Sequence, residues 1–358
     1  MADIQRAGIL RSGGPVRMLR LAACTAVAIV AGCGGGDDAP AAGPVATRDD
    51  ALRAASVVLG LHAVLDPSSG DLVPFPEPRV SARSTAKAMA RSEPEVSECD
   101  LNGKRVDRDT TGVRNFTLFR GTAGAELPVD GSGAETLFAD CQEEYAASDF
   151  SSGNLTRDGF LETGSGLDDQ ADSYAWVVLG RDSRPYSVRF DELDESGTPV
   201  GRSRYTASGV IENGDILRFD EEGEVVEAYI ESRFRNLSLS FAERRGAAAT
   251  QTLQARLGTP ARSFSLKRDE EGGVRIEGPL TFTSTRQGCV GGELEVETRS
   301  PLQGDAGIVA GEIVLSSLNV SARLKFREDG GVDIRIGDGA AQTVSAEEFE
   351  SALADGGC

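Results

Sequence analysis

Histidine and tryptophan occur once each in these 358 residues, methionine three times, and aromatic side chains make up 6% of the chain. The one histidine, His62, falls among Val58, Leu61 and Leu65, a packing or surface position rather than a catalytic one. With no second histidine the chain offers neither a Ser–His–Asp or Cys–His arrangement nor a multi-histidine metal site. No CxxC or Cys/His cluster is present, which excludes a zinc site of ordinary spacing. Aromatic platforms for a sugar-cleaving cleft are scarce. Basic charge is also short: 37 Lys and Arg against 57 Asp and Glu give a formal net charge of −20. Nucleic-acid binding needs clustered cations to displace counterions from phosphates, so it is excluded as a class. Affinity for an anionic lipid surface through the body is excluded on the same ground. An acidic surface of this kind serves solubility. No apolar run reaches the roughly 20 residues a membrane-crossing helix needs; LAACTAVAIVAG, residues 21–32, is followed at once by cysteine and glycines.

That short run carries information. Arg11, Arg17 and Arg20 precede it, no acid follows Asp3 in this segment, and Val30-Ala31-Gly32-Cys33 closes it. A basic start, an apolar core and small residues before a cut compose a secretory signal. With cysteine at the cut, the segment resembles the lipobox of bacterial lipoproteins. The resemblance implies a diacylglyceryl group on the Cys33 thiol, cleavage just before it, and acylation of the new amine. One acyl chain anchors marginally and two or three durably, so the implied partner is a membrane reached through lipid on Cys33. Residue 34 is Gly and not Asp, which by the sorting rule of enterobacterial relatives implies the outer membrane.

The expected organisation is a signal peptide at 1–32, a flexible tether at 33–46, a helix at 47–66, a linker at 67–97 and an antiparallel β body at 98–358. Whether that body divides into halves at 98–180 and 181–358 stays open. Thr47 is an N-cap candidate with Asp49 and Asp50 in the first turn, and Asp66-Pro67 ends the helix. Residues 67–97 are rich in Pro, Ser and Ala. From about residue 113 apolar residues alternate with polar ones: Val188 and Phe190; Leu237, Leu239 and Phe241; Val320, Ala322, Leu324 and Phe326; Val332, Ile334 and Ile336. Period two means strands with one buried and one wet face, the pattern of antiparallel sheet. The fold class read here is mainly β, a long antiparallel meander with a short helix at each end, as an open sheet, a partly closed one or a sandwich. Turns are expected at Asn213-Gly214, DESGTP (194–199), DEEGE (220–224), DEEGG (269–273) and EDGG (328–331). LKRDEEGGVRI (266–276) matches LKFREDGGVDI (324–334), which suggests two like hairpins or convergence on one. Ser345-Ala346-Glu347-Glu348 is a capping box opening a helix to about Ala354.

Four cysteines besides Cys24 and Cys33 remain: Cys99, Cys141, Cys289 and Cys358. An even number in an exported chain argues for disulfides. Three pairings are open; the local pair, Cys99–Cys141 with Cys289–Cys358, is the expectation because each bond then closes one half of the chain. FADC (138–141), GNLTRDGFLETG (153–164) and GEIVLSSLNVSARLKF (311–326) are similar in style to a group of β-rich proteobacterial lipoproteins of unknown function, a resemblance that implies no activity.

FDELDES (190–196) lacks a second glutamate on one strand face, and Glu293, Glu295 and Glu297 read as the wet side of a sheet. LDDQADS (167–173) and IGDGAAQ (336–342) gather oxygen ligands but lack the DxDxDG order of calcium loops. No catalytic residue, metal or cofactor is assigned. The favoured function is a non-catalytic structural or interaction role in the cell envelope with an envelope protein as partner. The alternatives are a carrier of lipid or other apolar ligands, which needs a large apolar cavity, and a carbohydrate-active hydrolase.

Overall fold

The computed structural model describes residues 43–65, 90–117, 126–146, 152–167, 173–181, 184–194, 196–219, 225–304, 308–318 and 320–354. Cys33 and the lipobox, Cys358, the DEEGE turn and most of LDDQADS lie outside them.

The chain is mainly β, and its strands join one antiparallel sheet. Helix α1 (Arg48–Leu65) is followed by β1 (Ala90–Arg91), β2 (Glu95–Glu98), β3 (Asn102–Thr117), β4 (Glu126–Ala146), β5 (Ser152–Leu167), β6 (Ser173–Leu179), β7 (Tyr186–Leu193), β8 (Pro199–Phe219) and β9 (Val225–Arg245). Then come β10 (Gln251–Leu257), β11 (Phe264–Asp269), β12 (Val274–Ser284), β13 (Gly292–Gln303), β14 (Ala310–Ser317), β15 (Val320–Phe326), β16 (Val332–Ile336), β17 (Gln342–Val344) and helix α2 (Ala346–Ala354). Each strand pairs with its sequence neighbour or with the next but one, as a meander requires. β6 and β7 are collinear: β6 pairs Leu161–Leu167 of β5 and β7 pairs Ser152–Asp158. β10 and β11 likewise share the space between β9 and β12.

These interruptions belong to one crease. It crosses a bulge at Asp140 (φ 47°) in β4, Gly159 (φ 96°) in β5, the β6–β7 break, Gly209 in β8, Asn236 (φ 49°) in β9, the β10–β11 break and Gly278 in β12. A bulge sets two residues against one and bends the strand. At Gly209 (φ 140°) a Cβ would come 2.7 Å from the Leu237 Cα, so only glycine fits there. The crease divides the sheet into a leaf carrying β6 and β11 and a leaf carrying β7 and β10.

α1 ends at Leu65, as the sequence suggests, and its start is capped reciprocally. The Asp50 amide donates to Thr47 Oγ1 at 3.2 Å, and the Thr47 amide donates to Asp50 Oδ2 at 3.2 Å. Ala51, Leu52, Ala54, Ala55, Val57, Val58, Leu59, Leu61 and Leu65 are all buried, a face wider than one stripe, while Asp49 and Ala63 on the remaining side are exposed. So broad an apolar face packs into a core, and α1 shares one hydrophobic cluster with strands from β4 to β17 and with Phe349 of α2. His62 is only half-buried.

Three expectations are corrected. The last residues of the proposed tether are docked: Val45 is fully buried in the core cluster and Pro44 is buried too, because an apolar pair beside a helix start gains more from the core than from water. The linker assigned to 67–97 ends in two short strands, since Ala90–Arg91 and Glu95–Glu98 both pair with β3. Asn213-Gly214 is no turn. Both lie inside β8, paired to Ser232 and Glu231 of β9, since unbroken ladders on both flanks override a local turn preference.

The acidic GG turns behave alike. In one, the Asp269 amide donates to Gly273 O and the Gly272 amide to Asp269 O; in the other, Arg327 donates to Gly331 O and Gly330 to Arg327 O. Gly272 and Gly330 have φ of 81° and 80°. The 266–276 and 324–334 segments therefore fold into hairpins of one geometry.

Candidate interaction face

Alternation sends one set of side chains to the α1 core and the other to the opposite, outer face of the sheet. On the β6/β11 leaf that outer face carries a second, small cluster: Val129, Tyr174, Trp176, Ile216 and Tyr229. Trp176 is fully buried. It lies across glycines of the adjoining strands; a Cβ on Gly164 would meet its Cζ2 at 2.1 Å, and one on Gly131 its Cη2 at 3.0 Å. The indole Nε1–H donates to Glu162 Oε1 at 2.9 Å, and the Arg114 guanidinium sits 5.2 Å from the ring centroid. The carboxylates around it are met by arginines: Glu135 by Arg91 at 2.6 Å, Glu212 by Arg235 at 2.9 Å and Glu231 by Arg233 at 2.7 Å. Such pairing offsets the cost of burying charge.

Across the crease, the outer face of the β7/β10 leaf is built differently. Ladder register places Thr206, Ser240, Gln254 and Thr283 side by side, and Ser208, Ser238, Arg256 and Thr281 in the adjacent row. They line an open groove of about 390 Å³ beside Pro185. Along the same face Arg189 stands opposite Arg204, and Arg202 opposite Arg244.

The residues singled out from sequence fall as follows. Cys99 and Cys141 form a disulfide across a separation of 42 residues. Cys289 is also disulfide-bonded; Cys358, the partner expected for it, lies outside the described residues. Asp191 of FDELDES is buried between Arg189 at 3.0 Å and Arg202, an ion-paired strut with no second carboxylate facing it across a cleft. Asp194 sits in the β7–β8 turn, where the Ser196 hydroxyl and then the Thr198 amide donate to it and hold its carboxyl below the usual range. Glu293 and Glu297 are exposed and Glu295 pairs with Arg262, so this trio is the wet side of β13. Among the described residues no group of three or more His, Cys, Asp or Glu is placed to hold a metal ion.

Two tyrosines on the core side have hydroxyls pushed above the ordinary tyrosine range by burial, Tyr186 and Tyr205, and the Tyr205 hydroxyl has no hydrogen-bond partner. Sequence reading did not find the outer-face arginines. Their signal is present: Arg202, Arg204, Thr206 and Ser208 recur at every second position, as do Ser238, Ser240 and Arg244 around Ala242. What it lacks is the pairing that puts these strands side by side. Family models, curated proteins and solved structures give no match to this chain.

Proposed function

We propose that the protein is a lipid-anchored lipoprotein of the bacterial cell envelope, tethered by Cys33, with a non-catalytic role as a binding body whose outer sheet face meets a partner.

 The observation that carries this reading is the enclosure of α1. Its apolar residues join the main hydrophobic cluster on the core side of the sheet, with Val58, Ala54 and Ala55 fully buried. A carrier of apolar ligands needs open space there. The arginine held against each buried outer-face carboxylate described above supports a structural use of those acids, and Asp191 stands between two arginines rather than free to act on a substrate.

The test is native mass spectrometry of the Cys33→Ser protein purified without detergent. A bare polypeptide mass, reduced only by the hydrogens lost to disulfides, is the expected result. A stoichiometric added mass in the lipid range would overturn the reading in favour of a carrier.

A further inference from the structure

The outer face of the β7/β10 leaf holds unused recognition groups of two kinds. Thr206, Ser208, Ser238, Ser240, Thr281 and Thr283 line the groove, and none of these hydroxyls makes a hydrogen bond among the described residues. Arg204 and Arg244 are exposed and make no ion pair among the described residues. Arg189 and Arg202 share the single carboxylate of Asp191, and Arg256 is held over the groove by Asn236 Oδ1 at 2.8 Å. Like charges directly opposite on neighbouring strands destabilise a sheet, yet this face has two such pairs, Arg189–Arg204 and Arg202–Arg244. Asp191 offsets the charge of Arg189 and Arg202, which leaves Arg204 and Arg244 uncompensated. A bound anion would compensate them.

We propose that this face binds an anionic glycan, with the groove hydroxyls and Gln254 taking sugar hydroxyls and Arg204 and Arg244 taking the acid groups. The proposal deepens the interaction reading and rests on it, but it does not depend on the lipid anchor. The chain's overall negative charge does not forbid it, because at physiological ionic strength charges more than about 8 Å away are largely screened. Charge complementarity and the hydroxyl lining select the occupant. A nucleic acid would want aromatic side chains on which bases stack, and the groove's outward side chains include none. A lipid surface would want apolar side chains at the contact. Among the described residues of β7, β8 and β10, Val200 is the one large apolar side chain that is exposed.

The experiment is binding of the full-length protein in detergent to polygalacturonate oligomers, with neutral dextran and single-stranded DNA of matched length as the other arms. Binding to polygalacturonate alone is expected. The double variant Arg204→Gln/Arg244→Gln should weaken it at least tenfold with a melting temperature no lower than the parent's, since it relieves both like-charge pairs, and Thr206→Val/Ser240→Val should weaken it with the arginines intact. Absence of polygalacturonate binding would overturn the proposal, as would equal binding of the DNA or a double variant that binds as well as the parent. None of these outcomes bears on whether Cys33 carries lipid, so the two readings fail separately.

Discussion

At the scale of single residues, the clearest dependence is that of Trp176 on the glycines beneath it. Gly164 has no alternative residue: the Cβ of alanine would overlap the indole by well over an ångström, in a place with no solvent to yield into. Overpacking of this kind costs about 3 kcal/mol. Gly164→Ala should therefore lower the unfolding midpoint, and because Trp176 is the single tryptophan its emission reports the site directly. A red-shifted native spectrum together with the lost stability is the expected outcome; an unchanged spectrum and midpoint would show that the ring does not rest on that strand. None of this was legible in GNLTRDGFLETG, where Gly164 reads as punctuation. Its role arises from the register that sets it against Trp176, a contact between strands.

At the scale of elements, what was legible is what is local. α1 announces itself by its cap and by its apolar residues, and the two acidic GG hairpins by turn chemistry contained within a few residues. The crease was not readable, because it consists of positions in separate strands that become neighbours only after pairing. Asn213-Gly214 misled for the same reason: its neighbours across β6 and β9 outweigh its own preference. The Cys99–Cys141 bond joins the edge before β3 to β4, and closing a loop with a separation of 42 residues stabilises by about 4 kcal/mol in the chain-entropy account. The double variant Cys99→Ser/Cys141→Ser should lose stability of that order in denaturant titration while keeping its far-ultraviolet β signal. A loss below about 1 kcal/mol would mean that β2 and β3 are held by their ladder alone.

At the scale of the whole molecule, the sheet separates its two faces by task. One face encloses α1 and supplies the core; the other carries a charged, arginine-laced surface with a groove where the crease passes. The acidic composition conceals this, because net charge averages over a surface on which arginines are concentrated locally. Alternation made the two faces foreseeable, while the location of the groove depended on strand order. The proposal that lipid on Cys33 holds this body at a membrane is open to one decisive measurement, mass spectrometry of the N-terminal peptide of the protein isolated from bacterial membranes. The account predicts a peptide beginning at Cys33 and carrying the added mass of a diacylglyceryl group with or without a further acyl chain. A peptide that retains residues before Cys33, or begins there without lipid, would contradict it.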